Sequence, residues 1–255
     1  MAYLNQYTPP ATPIPKGCHL DTPADQYDHN YVFPVTKLSS DRLEMRPFIP
    51  SEHAQLLFEG LQAYPETLRW ISVHVPRTLD DVLELVERMF RRNPESMLYA
   101  IFSAPKPDAR PDEYVFAGML ALICSSPSHL SIEPGWIIIL PPFQRTHVLT
   151  HAAGLVIHYA MDLPSQGGLG LRRCQWTTTT LNLASQNAAK RLGFQYEGVL
   201  RAMWVLPPGK EGVRPGRKGD KFQDGQQRDN WFASIIADDW ENGARDHIDK
   251  LMARK

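Results

Sequence analysis

Several segments of the chain carry the apolar and polar pattern of β-strands. Residues 38–48 alternate apolar and polar side chains and end at Pro47, and six further segments are rich in β-branched or aromatic residues. Residues 137–140 read Ile-Ile-Ile-Leu, so their strand is expected to be buried on both faces in the middle of a sheet. The pattern therefore predicts seven strands, over residues 38–48, 97–103, 114–125, 131–140, 171–179, 194–205 and 228–237.

Helix signals lie between these strands. Ser51 is placed to cap a helix that runs to about residue 61. Thr78 and Asp81 form a capping-box pattern before residues 79–92, which carry one apolar face. The strand that ends at two prolines is expected to lead into another helix from about Thr146, and residues 242–255 predict a short helix in a charged tail.

Residues 171–205 predict a strand, a helix and a second strand in direct succession. Asn182 is expected to cap the helix over residues 182–192, and Gly193 follows where a left-handed residue ends many helices. Such a unit places the helix start beside the end of the first strand. Backbone N–H groups and short polar side chains, here Asn182 and Ser185, can meet a ligand there.

Two segments lack any periodic pattern. Residues 1–35 are interrupted by prolines, which predicts a mobile or surface-draped arm whose aromatic side chains dock on the protein. Residues 207–227 are rich in Gly, Lys and Pro and are interpreted as a flexible, solvated hairpin tip. We therefore predict an extension over 1–35, one domain over 36–245 that contains the 207–227 insertion, and a charged tail over 246–255.

Composition narrows the class of protein. The 255 residues are 43% hydrophobic and 22% charged, as in ordinary globular proteins, and 27 basic against 28 acidic residues give a net charge of −1. This balance gives no support for a nucleic-acid partner. No apolar run approaches the ~20 residues of a membrane span. Cys18, Cys124 and Cys174 lack metal-site spacing, so we expect reduced thiols in a cytoplasmic protein without a membrane partner.

The helix and strand after Thr179 contain a long motif, N-x-x-S-x-x-A-x-x-x-L-G-F-x-x-E-G. The chain resembles the GCN5-related N-acetyltransferase (GNAT) superfamily, and within it the branch that includes ribosomal-protein alanine acetyltransferases. Supporting patterns are R-L-x-x-R-P-F from Arg42 and R-D-x-x-W at the start of the last predicted strand. The motif residues are Asn182, Ser185, Ala188, Leu192, Gly193, Phe194, Glu197 and Gly198.

The resemblance covers about residues 38–240 and implies a fold and an activity. The fold is α+β, with a mixed and mostly antiparallel sheet of about seven strands, splayed between strands 4 and 5, and helices on both faces. The activity is transfer of an acetyl group from acetyl-CoA to a primary amine, either of a small molecule or of a protein N-terminus. Transfer is direct, in a ternary complex, and the protein is expected to be a monomer or a homodimer.

Acetyl-CoA is expected to bind at the helix start after Pro141-Pro142, where backbone N–H groups suit a pyrophosphate. Most relatives have glycines in this loop, but residues 144–149 contain none, and Arg145 is expected to compensate through charge-assisted bonds. The resemblance assigns to acetyl-CoA the residues Ile138, Ile139, Leu140, Gln144, Arg145, Thr146, His147, Val148, Leu149, Thr150, Asn182, Ser185, Asn187 and Lys190.

Two residues are candidates for the acid–base chemistry that acyl transfer requires. Many relatives protonate the leaving thiolate with a tyrosine, but Ala189 stands at that position and the branch has a serine, here Ser185. Ser185 is equally interpretable as a helix-start residue. Glu133 is the candidate base, with a structural role at the strand start as the alternative. Trp70, His74 and Trp136 are expected to border the acceptor site.

The histidines of the helix after Pro142 suggest another class of site. His147 and His151 are four residues apart and His158 continues the same face, a spacing that can bind zinc. The zinc-peptidase pattern needs a glutamate at position 148, which is valine. We interpret the stripe as a partly exposed polar face and expect no metal. The hypotheses are thus an acetyltransferase, which is favoured, a degenerate acyl-CoA-binding domain, and a zinc hydrolase.

Overall fold

A computed structural model describes residues 3–8, 10–106 and 109–254. Its centre is one eight-stranded sheet in the order β1-β2-β3-β4-β5-β6-β8-β7, in which β5 and β6 are parallel and the other neighbours antiparallel. The strands are β1 (Leu38–Ser39), β2 (Leu43–Pro47), β3 (Met97–Ser103), β4 (Val115–Ser126), β5 (Ser131–Ile139), β6 (Arg173–Thr179), β7 (Gln195–Val205) and β8 (Gln227–Ile236).

The eighth strand comes from the first predicted one. Residues 38–48 form an antiparallel hairpin of β1 and β2 rather than a single strand. Ser40 closes the turn, because its N–H donates to Leu43 O at 2.9 Å and its Oγ accepts from Arg42 N–H at 3.3 Å. The mixed, mostly antiparallel α+β fold is confirmed, with eight strands instead of about seven.

Within the described residues, six α-helices surround the sheet. They are α1 (Pro50–Ala63), α2 (Leu79–Val86), α3 (Val148–Met161), α4 (Leu183–Arg191), the single turn α5 (Ala237–Asp239) and α6 (Arg245–Met252). The capping box of Thr78 and Asp81 is confirmed, and α2 continues into a π-helical turn, Glu87–Arg91. The prediction for Ser51 is wrong: α1 begins with Pro50, and Ser51 Oγ donates to Thr22 O at 2.8 Å. No helix in the described part of the chain combines the length and apolarity that a membrane crossing requires.

The sheet separates two apolar cores. One face of the sheet packs against α3, α4 and α6, where Trp176, Trp231 and Ile248 are buried. The other face packs against α1 and α2, where Leu57 and Phe90 are buried. Because side chains of a strand alternate between faces, the central strands β3, β4 and β5 contribute to both cores. The two cores hold the strands that line the site described below.

The N-terminal arm lies against the domain over its described residues. Tyr27 is buried, and Tyr31 Oη hydrogen-bonds Ser125 Oγ at 2.8 Å. Tyr159 Oη donates to Pro34 O. Docking through aromatic residues agrees with the surface-draped interpretation rather than the mobile one. The proposed domain boundaries stay a prediction, and Lys255 of the predicted tail lies outside the described residues.

The basic segment 207–227 is only partly the free tip that its composition suggests. Lys210 Nζ donates to Leu68 O at 2.6 Å, and Glu211 accepts from Arg69 at 2.9 Å. Both contacts join the segment to the connection between α1 and α2. Residues 217–224 remain exposed. The flexible interpretation fails at the base of the segment because Lys210 and Glu211 bond a carbonyl and a guanidinium on a distant loop.

Candidate active site

An opening in the sheet separates β5 from β6. The two parallel strands pair only at Ser131 with Arg173 and at Ile132 with Cys174, and then diverge. The predicted splay between strands 4 and 5 is therefore present, shifted by one strand number because β1 is an additional strand. Strand β5 leads into α3 and β6 leads into α4, so both helix starts flank the same open end of the sheet.

The edge of β5 presents backbone groups to this opening. Leu140 N–H donates to Ala117 O at 2.9 Å, so it belongs to the ladder with β4. Because successive peptide groups of a strand point to opposite sides, Ile138 shares that direction and Ile139 faces the opening. Ile139 O accepts from Gln144 Nε2 at 2.8 Å. The sequence assigned Ile138, Ile139 and Leu140 to acetyl-CoA binding. Of these three residues, Ile139 is the one whose N–H points into the opening.

The loop before α3 reaches its shape without glycine. Arg145 has a φ of +61°, in the left-handed region that glycine adopts without steric cost. Thr146 Oγ1 donates to Phe143 O at 2.6 Å and accepts from Val148 N–H at 3.3 Å. The helix begins at Val148, two residues after the predicted start, since Thr146 stabilises the turn. The next N–H groups of the first helical turn, those of Leu149 and Thr150, have no intrahelical acceptors and are available to an anion.

A cationic cavity of about 600 Å³ adjoins the start of α3. Thr150 lines it and accepts from Arg191 at 2.9 Å, which fixes one guanidinium over the helix start. Arg42, Arg145 and Arg191 have no acidic partner within 4 Å among the described residues. Such a concentration of uncompensated positive charge suits a polyanion. Its basic side chains are Arg42, Lys106, Arg145, Arg191 and Arg254.

The histidine face of α3 is partly exposed at His147 and His158, as predicted, but the prediction is wrong for His151. His151 is only 2% exposed, and its Nδ1 lies 2.9 Å from Ser40 Oγ. The β1–β2 turn covers it, and burial lowers its pKa. The Nδ1 of His147 lies beside the Arg42 guanidinium, and its Nε2 lies beside Ser103 Oγ and the Arg42 carbonyl. His158 contacts the carboxylates of Asp162 and Asp249. These rings bond separate partners and do not converge as zinc ligands would.

Helix α4 begins at the opposite side of the opening. Asn182 Oδ1 accepts from Ser185 N–H at 3.1 Å, which confirms the predicted cap. Ser185 Oγ accepts from the indole Nε1–H of buried Trp176 at 2.9 Å. Since a hydroxyl donates one hydrogen and accepts others, this bond leaves the Ser185 proton free for a further acceptor. Asn187 and Lys190 lie exposed farther along α4.

Glu133 lies buried where β5 and β6 begin to separate. Its Oε2 accepts from two side chains of β6, Gln175 Nε2 at 2.6 Å and Thr177 Oγ1 at 3.1 Å. Burial raises the Glu133 pKa, while these two bonds and the charge of Arg228 oppose the rise. The roles of Gln175, Thr177 and Arg228 were not predicted from the sequence. Polar residues at alternate positions of a predicted strand were the available signal for the first two.

The three residues predicted for the acceptor side are separated. Trp70 lines a narrow pocket with Arg228, and its carbonyl accepts from Arg228 Nη1 at 3.2 Å. Burial lowers the pKa of Arg228 to about 10. Trp136 instead packs edge-on against Phe90, and His74 is exposed. Only Trp70 among the three therefore borders this pocket.

A family model for the acetyltransferase (GNAT) domain matches residues 42–195, more than half of the chain. This chain belongs to the GNAT acetyltransferase family. The match agrees with the resemblance inferred from the motif, and GNAT acetyltransferases use acetyl-CoA as co-substrate. No curated protein matches the chain.

Solved structures share the GNAT fold. A GCN5-related N-acetyltransferase from Brucella melitensis is 22% identical, with a TM-score of 0.68 over 86% of this chain and 87% of that one. The Salmonella typhimurium enzyme that modifies the N-terminal serine of ribosomal protein L7/L12 is 17% identical, with a TM-score of 0.57 over 79% and 99%. Spermidine N-acetyltransferase from Vibrio cholerae, in complex with CoA and spermine, is 15% identical, with a TM-score of 0.57 over 80% and 100%.

Proposed function

We propose that this GNAT acetyltransferase transfers the acetyl group of acetyl-CoA directly to a primary amine, at the opening between β5 and β6. The observation that carries the proposal is the divergence of these strands after two residue pairs, with a helix start at each side. Pantetheine would lie along the β5 edge, where Ile139 N–H faces the opening. Its pyrophosphate would lie at the start of α3, beside Arg145 and the cationic cavity.

Ser185 is proposed to stabilise the leaving thiolate. Trp176 fills one acceptor site of its hydroxyl, so the hydroxyl hydrogen can point to the CoA sulfur. A donor placed where charge develops stabilises the transition state more than the ground state. Asn182 uses its Oδ1 as the helix cap, which leaves its amide N–H groups for the pantetheine chain.

Glu133 is proposed as the base that removes a proton from the attacking amine, directly or through water. Gln175 and Thr177 both bond Oε2, which fixes the carboxylate while Oε1 makes no protein hydrogen bond among the described residues. A buried carboxylate with a raised pKa is a stronger base than an exposed one. The carboxylate also favours a cationic acceptor before that acceptor loses its proton.

The acceptor is proposed to be a small amine or a protein N-terminus, in keeping with the ribosomal-protein branch. Two structural relatives act on such acceptors, an N-terminal serine in one case and spermidine in the other. The second candidate is an acyl-CoA-binding domain that does not turn over. The absence of glycine from residues 144–149 and Ala189 in place of tyrosine favour it.

Replacing Arg145 with alanine should weaken CoA binding about 10- to 100-fold at low salt, as loss of charge-assisted hydrogen bonds does. The loss should shrink as ionic strength rises. Titration calorimetry with CoA at two salt concentrations measures it. Arg145→Gly removes the side chain without strain at positive φ, so it separates charge from backbone shape.

Lys218→Ala, in the exposed tip of the 207–227 segment, is the matched control and should leave affinity unchanged. Wild-type CoA affinity in Arg145→Ala and Arg145→Gly would remove Arg145 from the phosphate site. Complete absence of CoA binding by the wild-type chain would contradict the proposed function itself.

A further inference from the structure

Three metal-ligating side chains meet where the N-terminal arm crosses the end of α2. Cys18, His19 and Glu87 each offer one ligand atom, and these atoms all lie within 4.8 Å of one another. Cys18 and Glu87 are buried, while His19 is partly exposed and so accessible to an ion from solution. The cluster lies outside the opening between β5 and β6. Cys18 and His19 also precede the family match, which covers residues 42–195.

One carboxylate oxygen of Glu87 is hydrogen-bonded and the other is not. Its Oε1 accepts from Arg92 Nε at 2.9 Å and from Arg91 Nη1 at 3.3 Å. Its Oε2 is buried and has no hydrogen-bond partner among the described residues. Glu87 is only 4% exposed, so bulk water does not solvate this oxygen. A buried carboxylate oxygen without a partner costs free energy of folding, so a positive ligand at Oε2 would stabilise the protein.

His19 directs a ring nitrogen at the same point. Its Nδ1 lies 3.1 Å from Thr22 Oγ1, and its Nε2 lies 3.6 Å from Glu87 Oε2. The second distance is too long for a hydrogen bond. If Nδ1–H donates to Thr22, the Nε2 lone pair faces a carboxylate lone pair with nothing between them. Burial, and then the charge of Arg91, lower the His19 pKa, which disfavours a charged imidazolium as the explanation.

We propose that Cys18 Sγ, His19 Nε2 and Glu87 Oε2 bind a zinc-like divalent ion, with water as the fourth ligand. The set of one sulfur, one imidazole nitrogen and one carboxylate oxygen suits a borderline ion in tetrahedral geometry. The Cys18 thiol loses its proton to solvent on binding, so thiolate and carboxylate balance the ion's two charges. Thr22 orients the histidine, and Arg91 and Arg92 orient the glutamate, as outer partners do in metal sites.

Such an ion would fasten the arm to α2. The arm already touches this helix through Gly17 N–H, which donates to Asp80 Oδ1 at 2.8 Å. Two of the ligands precede the family match, and the third lies within it, so metal binding would couple arm docking to the fold of the domain. The site therefore has a structural role and is independent of acetyl transfer.

Titration of the full chain with Co²⁺ tests the proposal, because a thiolate bound to Co²⁺ gives a charge-transfer absorption. The wild-type chain should bind one ion and show this band, and Zn²⁺ should displace it. Cys18→Ser should abolish the band and weaken binding by at least the ~10- to 100-fold that loss of an outer partner costs. Cys124→Ser removes an exposed thiol elsewhere, and this variant should keep both the charge-transfer band and the wild-type Co²⁺ affinity.

Glu87→Gln provides a second variant that preserves shape and should weaken Co²⁺ binding while retaining the thiolate band at high concentration. It decides the matter if Cys18→Ser does not fold. Wild-type affinity in Glu87→Gln, loss of the band in Cys124→Ser, or absence of stoichiometric binding by the wild-type chain would each overturn the site.

Discussion

Replacing Ser185 with alanine should lower the rate of acetyl transfer by about 10- to 1,000-fold, the usual effect of losing one preorganised donor, while CoA affinity stays nearly intact. The hydroxyl is needed mainly when negative charge develops on sulfur, so its loss falls on kcat rather than on binding. Asn182 rather than Ser185 supplies the capping oxygen of α4, so the substitution should not remove the helix cap.

The Ser185 variant has a structural side effect that a matched variant controls. Alanine leaves the Trp176 indole N–H without its acceptor, at a cost of about 1–3 kcal/mol in the free energy of unfolding. Trp176→Phe removes the donor instead and keeps the hydroxyl. Single-turnover rates measured below both melting temperatures should be low in Ser185→Ala and much higher in Trp176→Phe. Equal rates in the two variants, or a wild-type rate in Ser185→Ala, would remove Ser185 from the mechanism.

Replacing Glu133 with glutamine should lower kcat/KM by about 100- to 10,000-fold, the contribution of a positioned general base. Burial raises the pKa of Glu133, and the base is inactive when protonated. As pH is lowered, the wild-type kcat/KM should therefore begin to fall above the ordinary pKa of a glutamate. The variant should lose this acid limb. Thr177→Val removes a hydrogen bond to the charged carboxylate and should shift the limb to higher pH.

The direction in which Glu133→Gln changes stability follows from the raised pKa. A folded-state pKa above the unfolded value means that stability from this group is present below the unfolded pKa and is lost as pH rises through the folded pKa. Glutamine does not ionise, so Glu133→Gln should melt no lower than wild type at neutral pH. A strongly reduced melting temperature would indicate a structural role, and an unchanged acid limb would exclude Glu133 as the base.

Local patterns predicted most of the elements but not their tertiary contacts. The Thr78–Asp81 box and the Asn182 cap are correct because every partner lies within a few residues. The covering of His151 by Ser40 and the docking of Lys210 on Leu68 involve partners more than 100 residues away. Neither contact leaves a signal at its own position, so the predictions were wrong for His151 and for the base of the basic segment.

The same distinction explains what was found of the site. The resemblance made Ser185 and Glu133 candidates, but their partners Trp176, Gln175 and Thr177 became visible only through the position of β6 beside β5 and α4. The cationic cavity draws its side chains from separate elements, so no single segment of the sequence is unusually basic there. The left-handed conformation of Arg145 lets this loop turn without a glycine.

Acetyl transfer itself is tested most directly by incubating the wild-type chain with labelled acetyl-CoA and a panel of amines and N-terminal peptides. We expect at least one acceptor to become acetylated, with one CoA thiol released for each product and no label on the protein when the acceptor is omitted. Tight CoA binding without acetylation of any acceptor would contradict the account and favour an acyl-CoA-binding domain. A labelled protein intermediate would contradict direct transfer in a ternary complex.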